Sequence, residues 1–226
     1  MNIEHVRMLA SNFEETKQFY SQQLEIPLVN EGTSAFTLQF GQTTVTFEKA
    51  LKDAQPFYHF ALNVPANLFD EAKKWAKERV DLLLEDCEDE VYFKNINAKS
   101  LYFEDPAGNI VEFICRLSDS AESEVPFSPL SLIKMSEMSI VVPDKQKALP
   151  SLHHIDIYER SNNDVEYDGL TFMGDVKDAT YLLFVNEGRR WFFSQKPSKS
   201  YPVKIQLTNG ATIWIDEQLQ LHSSKS

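Results

Sequence analysis

Residues 99–115 have the sequence KSLYFEDPAGNIVEFIC, and this stretch decides the fold. Its two apolar ends predict strands over Lys99–Glu104 and Ile110–Cys115. The connecting segment Asp105–Asn109 carries proline early and glycine late, which is typical of a tight connection between antiparallel strands. A β-hairpin is therefore predicted here.

This hairpin completes the second of two similar segments. In residues 57–115 a strand at Phe57–Val64 and an amphipathic helix after Asn67 precede further extended stretches. Residues 1–50 show the same order, with a first strand at Asn2–Ala10 followed by a helix and two or three strands. An internal repeat of strand-helix-strand-strand-strand (βαβββ) units indicates an α+β fold. Each unit is too small to cover its own sheet, so we expect the modules to pair.

The rest of the chain is mainly β-rich. Residues 117–129 are polar, acidic and interrupted by prolines, which predicts a linker. Residues 130–222 contain several strand patterns, including Met138–Val142 and His154–Arg160, and one short helical pattern at Lys145–Leu152. We interpret this segment as a degenerate third βαβββ unit. The expected organisation is a two-module domain at 1–116, the linker, and this C-terminal module.

Composition excludes some classes of function. The chain has 226 residues, 42% of them hydrophobic, and a formal net charge of -12. An acidic surface repels phosphate groups, so we expect no nucleic-acid partner and no docking on anionic membranes. The apolar runs are too short to span a bilayer, and residues 1–5 do not resemble a signal sequence, so a cytoplasmic location is expected. Cys87 and Cys115 do not suggest a disulfide framework.

Four chemically suited residues occupy matched places in the two repeats. His5 and His59 lie on the first strands, and Glu48 and Glu112 on the last. Glu112 is flanked by apolar residues on both faces of its strand, so its carboxylate must be paired, protonated or bound to a metal. Two imidazoles and two carboxylates suit one divalent ion, namely Fe, Mn, Ni or Zn. The alternative is that each is an ordinary surface or hydrogen-bonded residue, and Glu48, followed by a polar segment, is the weakest member.

The chain resembles the vicinal-oxygen-chelate superfamily, which includes glyoxalase I, extradiol ring-cleaving dioxygenases and bleomycin resistance proteins. The resemblance covers residues 1–116 and rests on four stretches: Ile3–Val6, Phe19-Tyr20, Tyr58–Val64 and Tyr102–Phe113. It implies paired βαβββ modules whose curved mixed sheets form a cup around the metal. It also implies metal-ligand positions at His5, Glu48, His59 and Glu112.

Three functions remain open from the sequence, and the third of them is a structural or regulatory protein that uses the fold as a scaffold. The first is a metal-dependent lyase, isomerase or ring-cleaving dioxygenase that acts on a small substrate with vicinal oxygens, with Glu48 or Glu112 as general base. The second is a metal-free small-molecule-binding protein, like the bleomycin-binding relatives. Whether the cup forms within one chain or in a homodimer is also open.

Overall fold

A computed structural model of the chain describes residues 1–162, 165 and 169–225. These residues form two seven-stranded mixed sheets with few helices, which confirms the predicted α+β class. The strands are β1 (Ile3–Ala10), β2 (Leu28–Glu31), β3 (Ala35–Phe40), β4 (Thr43–Lys49), β5 (His59–Asn63), β6 (Val91–Phe93), β7 (Ala98–Glu104), β8 (Ile110–Arg116), β9 (Met135–Val142), β10 (Thr171–Met173), β11 (Tyr181–Asn186), β12 (Val203–Leu207), β13 (Ala211–Ile215) and β14 (Leu221–Lys225).

The strand order shows how the repeats are arranged. Sheet A has the order β14-β13-β12-β1-β4-β3-β2, and sheet B has the order β10-β11-β9-β5-β8-β7-β6. The two predicted repeats are both present, one in each sheet. The structure differs from the expected pairing in one respect, because each repeat pairs with a later part of the chain. Strand β1 pairs antiparallel with β12, and β5 pairs antiparallel with β9.

The helices are short. They are α1 (Phe13–Gln18), which continues as a π-helical turn over Phe19–Gln23, α2 (Phe69–Lys77) and α3 (Lys145–His153). Short 3₁₀ turns lie at Lys94–Ile96, Pro129–Ser131, Arg160–Asn162 and Val176–Asp178. None of the helices in the described parts of the chain is long and apolar enough to cross a membrane.

Contacts between the repeats fix the predicted hairpin. Asn12 occupies the N-cap position of α1, but its side chain donates to the carbonyl of Pro106 at 2.8 Å instead of capping the helix. The Tyr20 hydroxyl donates to Asp105 at 2.7 Å in a fully buried contact. Asn109 also donates to Asp105 from its backbone and its side chain. The β7–β8 turn is therefore anchored to the first repeat.

The main core lies between the two sheets. In β3 every second residue is buried, so Phe36, Leu38 and Phe40 face inward and the intervening residues are partly exposed. Strands β8 and β9 of sheet B are buried along their whole length. Their second face is thus covered as well, and it is on this second face that the candidate site lies.

Candidate metal centre

Three acidic or imidazole side chains meet on sheet B. His59 lies on β5, Glu112 on β8 and Glu137 on β9, and one ligand atom from each lies within 4.8 Å of the others. The exposed fractions of His59, Glu112 and Glu137 are only 6%, 3% and 5%, respectively. Within residues 1–162, 165 and 169–225, no other group of three or more His, Cys, Asp or Glu residues converges in this way.

The strand register explains why they meet. Ala61 of β5 pairs with Glu112 on its parallel neighbour and with Glu137 on its antiparallel neighbour. His59 precedes Ala61 by two residues and therefore shares its face of the sheet. The two carboxylates flank a position that carries only a methyl group. The sheet therefore directs three potential ligands into one small volume.

The imidazole of His59 is arranged as a neutral ligand. Its Nδ1 atom lies 3.0 Å from the carbonyl oxygen of Ile110, which can only accept, so Nδ1 carries the proton. Burial lowers the pKa of His59 to about 4, so the ring is neutral at pH 7. The Nε2 atom, which then carries a lone pair, lies 3.5 Å from a carboxylate oxygen of Glu112. Metal-bound histidines commonly donate their other ring nitrogen to a backbone carbonyl in this way.

The two carboxylates share one counter-charge. Burial first, and then the nearby Glu137 carboxylate, raise the pKa of Glu112 to about 8. Burial also raises the pKa of Glu137, although the Arg116 guanidinium, which forms an ion pair with it, opposes this effect. Two buried carboxylates beside a single arginine leave an unbalanced negative charge when both are ionised. A divalent cation would balance it, so the donor set fits such an ion.

A cavity opens beside these three residues. Its volume is about 430 Å³, which lies in the range of small-molecule sites. The Trp191 ring lies 4.9 Å from the His59 ring, centroid to centroid. The remaining lining is mostly aromatic and aliphatic, with Asn95 and two arginines as its polar members: Phe93, Ile96, Tyr102, Ile114, Arg160, Leu170, Phe172, Leu183, Arg189 and Phe192. Three protein ligands beside a cavity leave room for water or substrate on an ion.

Comparison with solved structures identifies the architecture. Glyoxalase I from Zea mays superposes with a TM-score of 0.57 at 12% identity over 98% of this chain and 91% of that chain. A Bacillus subtilis protein provisionally assigned as a dioxygenase gives a TM-score of 0.61 at 12% identity over 99% of this chain and 84% of that chain. The chain has the vicinal-oxygen-chelate fold. The fold that the resemblance implied is thereby confirmed.

Sequence comparisons add one partial match to this fold assignment. The family model of a toxoflavin-degrading enzyme matches residues 135–189. This segment begins with β9, which carries Glu137, and ends at Arg189 of the cavity wall. No curated protein matches the sequence.

The other two predicted ligands lie in the other half of the vicinal-oxygen-chelate fold. The structure brings His59 and Glu112 together, but His5 and Glu48 belong to sheet A. Both ring nitrogens of His5 are engaged, one with Gln206 at 3.0 Å and the other with Thr46 at 2.8 Å. Glu48 forms an ion pair with Arg7 on the exposed face of the sheet. The four predicted residues therefore do not converge on one point.

Strand register shows which positions correspond between the two sheets. If His5 is matched with His59, Arg7 is the counterpart of Ala61, the residue that pairs with Glu112. Arg7 pairs with Thr46 on β4, whereas Glu48 lies two residues further along that strand. Thr46, not Glu48, is thus the structural counterpart of Glu112.

The same comparison locates the counterpart of Glu137. Arg7 pairs with Lys204 on β12, just as Ala61 pairs with Glu137 on β9. Sheet A therefore holds threonine and lysine where sheet B holds two carboxylates. Neither side chain supplies a carboxylate, so sheet A retains the strand pattern without the donor set of sheet B.

Glu137 was missed in the sequence analysis. The predicted strand began at Met138, whereas β9 begins at Met135 and includes Glu137. A signal was nevertheless present, because Glu137 is a single carboxylate in the otherwise uncharged strand MSEMSIVV. The reasoning applied to Glu112, that a lone acid in apolar surroundings needs a partner, applies equally to Glu137.

Proposed function

We propose that this protein is a metal-dependent enzyme that acts on a small molecule with neighbouring oxygen atoms. One divalent cation is held by His59, Glu112 and Glu137. The observation that carries the proposal is the convergence of these three buried side chains at the wall of a 430 Å³ cavity. Such an ion supplies Lewis acidity, which stabilises negative charge that develops on substrate oxygens.

The donor set favours a hard or borderline metal. Two carboxylate oxygens and one imidazole nitrogen suit Mn(II) or Fe(II) better than a metal that prefers several nitrogen or sulfur ligands. Arg116 binds one oxygen of Glu137, Oε1, and so leaves the other oxygen available for the ion. Of the four metals expected from the sequence, we therefore favour Mn(II) and Fe(II) over Zn(II) and Ni(II).

The cavity contains few groups that could transfer a proton. Among its described lining residues, the only imidazole and carboxyl groups are those of the three proposed ligands. Burial and the nearby Glu112 carboxylate raise the pKa of Tyr102 well above its ordinary value, so the tyrosine stays protonated. Proton transfer therefore falls to Glu112, as the sequence analysis proposed, whereas Glu48 lies outside the cavity.

Oxidative breakdown is the reaction class that we favour. The segment that provides Glu137 and part of the cavity wall matches the model of a toxoflavin-degrading enzyme. One similar structure is provisionally assigned as a dioxygenase, whereas another is a glyoxalase I. Oxygen consumption by the Mn(II)- or Fe(II)-loaded protein with candidate substrates separates the classes, since a lyase or isomerase turns over without oxygen.

A metal-free binding protein is the second candidate, and one contact favours it. Arg116 already supplies Glu137 with a buried counter-charge, and a proton on Glu112 would satisfy the remaining carboxylate. In this state the three side chains would be stable without a cation. The two candidates therefore differ in whether the site binds a metal tightly at neutral pH.

Metal titration tests the proposal. We expect the EDTA-treated protein to bind one equivalent of Mn²⁺ by calorimetry, and Glu137→Gln and His59→Ala to weaken this binding at least about tenfold. The matched controls are Glu48→Gln and His5→Ala, which alter the corresponding residue types on sheet A and should leave the affinity unchanged. Equal weakening by the sheet A variants, or no stoichiometric binding by the wild type, would overturn the assignment.

A further inference from the structure

The arginines are distributed unevenly between carboxylates and the cavity. The chain has six arginines. Four of them form ion pairs with carboxylates, and they are Arg7, Arg79, Arg116 and Arg190. Among the described residues, the remaining two have no carboxylate partner within ion-pair distance, and both line the cavity: Arg160 and Arg189. In a chain with net charge -12, two arginines at one cavity that have no carboxylate partner among the described residues indicate that an anionic ligand completes them.

Arg189 is held close to the proposed metal ligands. Its guanidinium lies 5.8 Å from the centre of the Trp191 ring, and this ring in turn packs against His59. Within the described chain, the guanidinium makes one hydrogen bond, in which Nη1 donates to the carbonyl of Arg190 at 3.2 Å. The side chain is half-buried. A cation–π contact with Trp191 positions the guanidinium and leaves other N–H groups available for a ligand.

Arg160 adds positive charge at another part of the wall. Its guanidinium lies 5.1 Å from the centre of the Tyr181 ring, and Tyr181 pairs with Glu137 in the sheet. Like Arg189, it is positioned by an aromatic ring instead of a carboxylate. Both arginines thus contact an aromatic ring, and neither forms an ion pair with a carboxylate in the described part of the chain.

The local charge favours an anion even without a metal. Three guanidinium groups, those of Arg116, Arg160 and Arg189, are set against two carboxylates, those of Glu112 and Glu137. Arg116 balances Glu137, and a proton or a divalent cation would balance Glu112, so the positive charge of Arg160 and Arg189 is left for a ligand in the cavity. A neutral ligand would leave this charge uncompensated in a partly buried cavity.

The rest of the wall suits a flat apolar body. Tyr102 stacks on Phe193 at 4.6 Å and 17°, and Phe192 packs edge-on against both rings. Phe93 lies 6.0 Å from Phe192, centroid to centroid. Rings of this kind form broad apolar surfaces, on which another ring can stack or pack edge-on.

We propose that the substrate of this site is an aromatic monoanion, such as an aromatic carboxylate, whose acidic group is bound by Arg189 while Arg160 contributes positive potential. The inference rests on the proposed function for the identity of the site, but it concerns the arginines and not the metal ligands. It can therefore be tested on protein from which all metal has been removed.

The test uses two probes of equal shape, 2-naphthoate and its neutral amide, 2-naphthamide. Binding to EDTA-treated protein is measured by calorimetry and by quenching of tryptophan fluorescence. We expect the carboxylate to bind about tenfold or more tightly than the amide, because charge-assisted hydrogen bonds to a guanidinium are strong. We expect Arg189→Gln to remove most of this preference. Adding Arg160→Gln to that variant should reduce the remaining preference further. Arg7→Gln is the matched control, because Arg7 lies on sheet A, and it should preserve the preference.

Four results would overturn the proposal. The two probes could bind equally, or neither could bind protein whose thermal unfolding shows it to be folded. The preference could also survive in the double variant Arg160→Gln/Arg189→Gln. If the preference arises only after Mn²⁺ is added and is the same in both arginine variants, the carboxylate binds the metal and the arginine assignment is wrong. Conversely, a preference that depends on Arg189 in a protein that binds no metal would support this inference while refuting the metal-dependent function.

Discussion

Replacing Arg116 by methionine would show whether the buried carboxylates bind a metal ion or are an ordinary part of the core. Arg116 and Glu137 form an ion pair with only 3% and 6% of their side chains exposed. Methionine is similarly long and unbranched but carries no charge. The substitution therefore leaves Glu137 as a buried carboxylate beside Glu112, without an ion-pair partner among the side chains that the structure describes.

The expected cost follows from this burial. Removing one partner of a buried ion pair typically destabilises a protein by about 3–5 kcal/mol, because the remaining charge stays desolvated. For a chain of this size that loss lowers Tm by roughly 6–20 °C. Protonation of Glu137 limits the loss, so the effect should grow as the pH rises above the ordinary pKa of a glutamate.

A bound divalent ion should offset most of this loss. The ion supplies the counter-charge that Arg116 provided, so Arg116→Met should be far less destabilising in saturating Mn²⁺ than in EDTA. By linkage, the variant should bind Mn²⁺ more tightly than the wild type does. Urea denaturation at pH 7.5 in each condition measures both quantities.

The control is Arg7→Met on sheet A. That ion pair with Glu48 is exposed, with 49% and 36% of the side chains accessible, so its loss should cost only about 0–1 kcal/mol with or without metal. Equal destabilisation of Arg116→Met in EDTA and in Mn²⁺ would refute the reasoning, because it would mean that no cation reaches Glu137. Wild-type stability of Arg116→Met in EDTA would refute the assigned burial cost.

Three further predictions concern stability. The pKa of Glu112 is raised in the folded protein to about 8, so the metal-free protein should lose stability as the pH rises from about 4.5 to 8, and Glu112→Gln should flatten this dependence in urea titrations. Gly41→Ala should lower the free energy of unfolding by about 2–4 kcal/mol in urea denaturation, because φ is +56° and the new Cβ would lie within 2.2 Å of two backbone carbonyl oxygens. Gly188→Ala, which places its Cβ in open space, should lower it by only about 1 kcal/mol. Tyr20→Phe should cost about 1–3 kcal/mol in the same assay, because Asp105 would lose a buried hydrogen bond.

Much of the fold could be predicted because local patterns and the internal repeat agree. The two apolar stretches and the turn at Asp105–Asn109 defined the β7–β8 hairpin, and the short helix predicted at Lys145–Leu152 is present as α3. The pairing of whole modules could not be predicted from the sequence, because long-range packing determines which strand lies next to β1. The extended stretch predicted at His154–Arg160 instead forms turns and short bridges after α3.

The site was only partly predictable for a related reason. His59 and Glu112 were found by matching the ends of strands in the two repeats. That method placed Glu48 opposite Glu112, whereas the observed register places Thr46 there, two residues earlier. A shift of two residues keeps a side chain on the same face, so the alternating pattern gives no warning of it. Glu137 lay in the module whose pattern was weakest.

The contrast between the two sheets gives an independent argument that the carboxylates of sheet B serve a function. In sheet A, Thr46 occupies the position of Glu112, and it hydrogen-bonds to His5 without requiring a counter-charge. That arrangement demonstrates that the strand pattern folds well with an uncharged residue at this position. Sheet B instead buries two carboxylates, whose desolvation opposes folding unless a proton, an arginine or a cation balances them. Side chains that destabilise a fold at positions where a neutral residue would be accommodated are expected at functional sites. Glu112 and Glu137 meet that description.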